Sequence, residues 1–184
     1  MGQNKNLDIL KWLRIYLIIT LAFILVACPT TDSLYREAYF RYLAKKDEEA
    51  LALCQEIMAR DASYTQAYIL TSLILAVKGQ TSKAIDVLVE AKDKARPEAV
   101  FYFNLGNLYF NTGDYTRACA EYTQALKLNS GLKEAYLNRA NSFLALKEYA
   151  KALADYEDFL RLSSEERPEV RKLVELLKID LKKN

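Results

Sequence analysis

The sequence predicts an all-α protein built of stacked helix pairs, and three observations carry that expectation. The first is composition. At 184 residues, 52% hydrophobic and 27% charged, the chain can bury a sizeable core, and five Gly and three Pro are too few for a turn-rich β protein. Ala, Leu, Lys and Glu dominate, and all four are comfortable in helices. The second is self-similarity: small and aromatic residues recur every 34 positions from residue 31 to residue 166 with no insertion. The third is local pattern. Within 99–132, two amphipathic stretches flank a short turn at Asn111–Asp114, the arrangement of a helical hairpin.

The chain begins with a different kind of segment. Lys5, Lys11 and Arg14 precede Ile15–Ala27, thirteen residues broken only by Tyr16 and Thr20. A membrane-spanning helix needs about 20 apolar residues, so this run is short for a span. A positive stretch followed by a short apolar one has the shape of an export signal. Leu25-Val26-Ala27-Cys28 resembles the lipobox of bacterial lipoproteins, in which the cysteine thiolate accepts a diacylglyceryl group. The resemblance implies cleavage before Cys28 and acylation of its new amino group, with 1–27 as signal peptide and 28–31 as lipidated cysteine and linker. The alternative is an uncleaved signal anchor with Cys28 beside it by chance. The implied location is a bacterial membrane, lipid-anchored, facing periplasm or cell surface. Pro29 cannot continue a helix, and Thr31 or Asp32 is placed to cap the next one.

From residue 31 the units fall at 31–64, 65–98, 99–132 and 133–166, so that 32–166 is one repeat domain. The third is the fullest, with Tyr102, Leu105, Gly106, Tyr109, Gly113, Asp114, Tyr115, Ala118, Tyr122 and Ala125. This series resembles the tetratricopeptide repeat, although Ser130 stands where the family closes on Pro. The fourth unit carries Tyr136, Ala140, Phe143, Tyr149, Ala152, Tyr156, Phe159 and Leu162 at the same places. The second keeps Tyr68, Ser72, Leu75, Gly79, Ala84, Leu88 and Ala91. The first matches at Leu34, Ala38, Ala50, Cys54 and Ile57, but Glu37 and Arg41 stand at apolar places and no Gly marks its turn.

Close packing explains the pattern. Small residues at 38, 72, 106 and 140 let each first helix approach its second, which answers with alanines at 50, 84, 118 and 152. Most of the thirteen tyrosines therefore belong to the core or its shell. Beyond Glu166 the register continues through Val170, Leu173, Val174 and Leu177 with no second helix after it, so 167–184 is expected to be a capping helix. Cys54 and Cys119 lie two units apart, too far for a disulfide, and read as small buried hydrophobes.

The resemblance implies a right-handed superhelical solenoid whose first helices line a concave groove for a peptide or helical protein segment. The groove candidates are Tyr35, Arg36, Tyr39 and Tyr42; Ile69, Leu70 and Leu73; Phe103, Asn104, Asn107 and Phe110; Leu137, Asn138 and Asn141; and Lys172 on the cap. Carboxamides both donate and accept, so the asparagines suit a peptide backbone. A carboxylate clamp known in the family is matched by Asn107, Asn138 and Lys172, while Phe103 and Pro168 stand where lysines are expected.

Function classes narrow accordingly. Beyond residue 27 basic and acidic side chains number 23 each, and no basic stripe is present to hold nucleic acid. With no histidine, Ser-His and Cys-His nucleophiles, His bases and most transition-metal sites are excluded, and no cofactor motif occurs. The expectation is a non-enzymatic, lipid-anchored binding scaffold of the bacterial cell envelope, such as an assembly factor. The alternative is an accessory protein of a transport system holding a small hydrophobic molecule in the stack.

Overall fold

A computed structural model of the protein describes residues 29–164 and 166–183. The expected signal peptide and Cys28 lie outside the described residues. Nine helices appear among those described: α1 Thr31–Leu43, α2 Asp47–Arg60, α3 Thr65–Val77, α4 Thr81–Ala91, α5 Ala99–Asn111, α6 Tyr115–Leu128, α7 Lys133–Ala145, α8 Tyr149–Leu162 and α9 Pro168–Lys183. First helices start at 31, 65, 99 and 133, second helices at 47, 81, 115 and 149.

One backbone device closes every hairpin. A residue with left-handed φ follows each first helix, at Lys45 (61°), Gly79 (75°), Gly113 (80°) and Lys147 (62°). The next N–H then donates back to a carbonyl five residues earlier, Lys46 to Arg41, Gln80 to Leu75, Asp114 to Tyr109 and Glu148 to Phe143, at 2.8–3.0 Å. This is the Schellman closure, which satisfies orphan carbonyls at a helix end. Two of its four left-handed residues are lysines, which explains why the first unit needs no Gly.

The entry to α1 differs by one residue from expectation. Thr30 is the cap: its backbone is extended and its Oγ1 accepts from the Ser33 N–H at 3.2 Å. Thr31 is thereby inside the helix, and Asp32 sits in its first turn and accepts from the Tyr64 hydroxyl.

The repeats pack as the small residues require. Ala38, Ala140, Ala50, Ala84, Ala118 and Ala152 are wholly buried, and Ser72 nearly so. Gly106 is the tightest of these places. A Cβ there would lie 2.6 Å from Cε1 of Tyr122, a ring that is itself fully buried. Three apolar clusters run through the stack, and the last joins α7 and α8 to Val170, Val174 and Leu177 of α9. That helix closes the apolar end of the fourth pair.

Each first helix also touches the first helix of the next pair, α1 to α3, α3 to α5 and α5 to α7. No two second helices meet among the described residues. The spacing is therefore shorter on the first-helix side, and the stack is a superhelix bent with first helices inside.

Candidate functional site

The inner face is composed of three rows that repeat at the 34-residue spacing. The first row is Tyr35, Ile69, Phe103 and Leu137, the second Tyr39, Leu73, Asn107 and Asn141, and the third Tyr42, Ala76, Phe110 and Leu144. All are partly or well exposed, with Tyr39 and Leu73 the most open. At the α1 end the face is aromatic: Tyr35 and Tyr39 stack with centroids 6.4 Å apart, and Tyr39 meets Tyr42 at 6.3 Å. Leu70 departs from expectation. It is 2% exposed and belongs to the core shared by the first two pairs, although Arg36 and Lys172 at the same register place are exposed and Asn104 and Asn138 half-buried.

The asparagines are engaged. Oδ1 of Asn107 accepts from the Tyr122 hydroxyl and from Nδ2 of Asn138, both at 2.8 Å. One pair later, Oδ1 of Asn141 accepts from the Tyr156 hydroxyl at 2.6 Å. These carboxamides satisfy buried phenols that would otherwise be unpaired. Burial pushes the Tyr122 phenol well up, and pushes Tyr156 up to about 12. Asn104 instead donates to the Val100 carbonyl of its own helix at 2.7 Å. Nδ2 of Asn107, Oδ1 of Asn138 and Nδ2 of Asn141 carry no hydrogen bond to another described residue, so the face keeps both donors and an acceptor. Lys172 is exposed on α9 in the register place of Asn104 and Asn138.

Sequence reasoning missed a second polar system under this face. Arg139 forms a two-pronged ion pair with Asp155 at 2.7 and 2.8 Å and donates a third bond to Thr123 Oγ1 at 2.9 Å. Both members are largely buried. Glu121 is Asp155's counterpart one repeat earlier and pairs with Lys92 at 2.6 Å. The available signal was an opposite-charge pair at register places held by Leu105 and Val87 elsewhere. The two described cysteines are free and buried, and burial pushes both thiols up to about 11, against nucleophilic use.

Clefts occur on other surfaces. One of about 420 Å³ lies between α2 and α4, lined by Met58, Ala62, Tyr68 and Val87; another of about 440 Å³ lies between α8 and α9. Among the described residues no group of three or more His, Cys, Asp or Glu could hold a metal ion, and no helix is long and apolar enough to cross a membrane.

Residues 103–166 match the family model of the tetratricopeptide repeat. Among solved structures the chain is similar to YrrB, described as a tetratricopeptide repeat protein with an unusual peptide-binding site, at 18% identity over 73% of this chain and 69% of that one, TM-score 0.64. It is similar to a thermophilic repeat protein of Thermus thermophilus, at 22% identity over 82% of each chain, TM-score 0.63. It is also similar to the first repeat domain of Spaghetti (RPAP3), bound there to an HSP90 peptide, at 22% identity over 66% of this chain and 95% of that one, TM-score 0.59. At these identities the likeness is one of fold. No curated protein matches the chain in sequence.

Proposed function

We propose that this chain, whose residues 103–166 match the tetratricopeptide repeat model, is a lipid-anchored, non-enzymatic scaffold that holds an extended or helical segment of a partner protein against its inner face. The observation that carries this reading is the composition of that face. Tyr39, Leu73, Phe103 and Phe110 give apolar purchase, and the spare amide groups of Asn107, Asn138 and Asn141 suit a peptide backbone. Two of the solved structures similar in fold are described as peptide-binding or peptide-bound, which supports the class of ligand.

All four asparagines already make hydrogen bonds within the fold, so the apolar rows supply most of the affinity and the spare amide groups set the register of the bound segment. A carboxylate clamp draws less support, since Phe103 and Pro168 occupy two of its cationic places. An assembly role fits a face that reads backbone and apolar surface together. The second reading, a small hydrophobic molecule in the stack, has little support, because Phe101, Tyr122, Tyr156 and Phe159 fill the interior.

The test of the face is site-directed photocrosslinking in the cells that make the protein. A crosslinking residue at Leu73 should give a discrete protein adduct, and one at Val89, exposed on the second-helix side, should not. Adducts at position 89 alone, or at neither, would refute the assignment. The anchor reading is supported by residues 25–28. Cys28→Ala should leave unprocessed protein without incorporated fatty acid, and unchanged lipid labelling would defeat it.

A further inference from the structure

We propose that the end face of α1 lies in the interfacial layer of the membrane and makes a second lipid contact beside the anchor, an inference that rests on the reading of Cys28 as acylated. No helix pair precedes α1 among the described residues, and α1 packs only against α2 and α3. Its outward side carries Phe40 at 68% exposure and Leu43 at 58%, with Tyr39 at 45% on its margin. Phe40 is the most exposed large apolar residue described.

The chain entering α1 is fixed to the domain. Nη1 of Arg60 donates to the Pro29 carbonyl at 2.9 Å, and Thr30 caps the helix. In sequence only Pro29 stands between Cys28 and the capping Thr30, so acyl chains on Cys28 would join the chain two residues before the cap of α1. At about 1.5 Å per residue, Phe40 and Leu43 lie roughly 14–18 Å along the same helix, within reach of the surface if α1 lies flat on it.

The side chains suit that layer. Tyrosines favour the membrane–water boundary, where a ring sits in the apolar part and a hydroxyl reaches water, and Tyr39 stands at the margin of this side, whereas Tyr35 and Tyr42 turn to the inner face and pack against the core. Arg36 and Lys45 stand at the two ends of the apolar side, where their stems can lie in the interface and their charges reach phosphate. Lys45 already lies over the Tyr42 ring at 6.0 Å. Of the nearby carboxylates, Glu37 and Glu49 pair with Arg41 and Glu48 with Lys78, while Asp32 accepts from the Tyr64 hydroxyl. The contact need not bind alone, because the anchor holds it at high effective concentration. A second copy is the other occupant to weigh. An end-to-end dimer would set Phe40 and Leu43 against Leu176 and Ile179 of α9.

Trp12 is the only tryptophan and would leave with the leader, so Phe40→Trp gives a mature chain with one reporter. The full precursor is processed in cells, purified and placed in phosphatidylcholine–phosphatidylglycerol vesicles carrying nitroxide lipids labelled near the headgroup or deep in the chain. The introduced indole of Phe40→Trp should be quenched roughly twofold or more over a Leu176→Trp control by the shallow label, as an interfacial side chain would be, and little by the deep one. Equal quenching in the two variants, in a chain that carries incorporated fatty acid, would overturn the contact while leaving the anchor standing. Absence of fatty acid would remove both. A concentration-dependent blue shift of the Phe40→Trp emission without vesicles would overturn the lipid contact in favour of a second copy.

Discussion

Two backbone positions show how single residues hold this stack together. At Gly106 the first helix approaches Tyr122 so closely that a Cβ has no room, with ring carbons at 2.6 and 2.7 Å from its place. The ring cannot swing aside, since it is fully buried and its hydroxyl is tied to Asn107. Gly106→Ala should therefore destabilise by about 1–3 kcal/mol, the usual cost of overpacking, despite alanine's better helix propensity. A denaturation midpoint equal to or above wild type would show that the ring yields. Lys147 is the opposite case. Its φ of 62° is disfavoured for any side chain with a Cβ, while Gly113 holds the same place one repeat earlier. Lys147→Gly should raise stability by about 0.5–1 kcal/mol in urea unfolding, because relief of strain exceeds the entropy glycine adds to the unfolded chain.

Between elements, α7 is tied to its neighbours by charge as well as by apolar packing. Arg139 joins α7 to Asp155 on α8 and Thr123 on α6, at 17% and 6% side-chain exposure for the ion pair. Asp155→Ala would leave a guanidinium buried without its counter-ion, and should cost about 3–5 kcal/mol. Replacing both partners with apolar residues found singly at these places in earlier repeats, Arg139→Leu (as Leu105) with Asp155→Val (as Val87), should recover most of that loss. A double variant as unstable as the single one would show that the pair is needed for more than mutual compensation. This tie also marks what a sequence can and cannot disclose. The helix starts and the small residues between paired helices were legible, because a 34-residue period leaves one register for four units. Leu70 is expected on the open face and is buried, although Arg36, Asn104 and Asn138 share its register place and are not, because the period fixes which positions correspond but not how deeply each one sits. The asparagines were legible as groove residues but not as acceptors for Tyr122 and Tyr156. That pairing spans 15 residues across a hairpin, and neither partner looks unusual alone.

At the scale of the whole molecule, a stack of repeats has two ends, and its stability depends on how each is closed. The α9 end is closed by burial of Val170, Val174 and Leu177 against a cluster containing Ala140, Ala152, Tyr156 and Phe159. Burying three such side chains contributes roughly 5–9 kcal/mol as an upper bound, comparable with the total stability of a small domain. In a solenoid each unit touches only its neighbours, so the loss should be felt first in the fourth pair and only then in the third. A chain ending at residue 166 should therefore lose cooperativity as well as stability. Amide exchange in α7 and α8 should rise to near-unprotected values while α3–α6 keep most of their protection. The buried Arg139–Asp155 pair would be opened to water with them, which makes the same region the most salt-sensitive part of the shortened chain. Uniform loss of protection through all four pairs would show instead that the repeats unfold as one unit. An unchanged exchange pattern would show that α9 is not needed to close the stack.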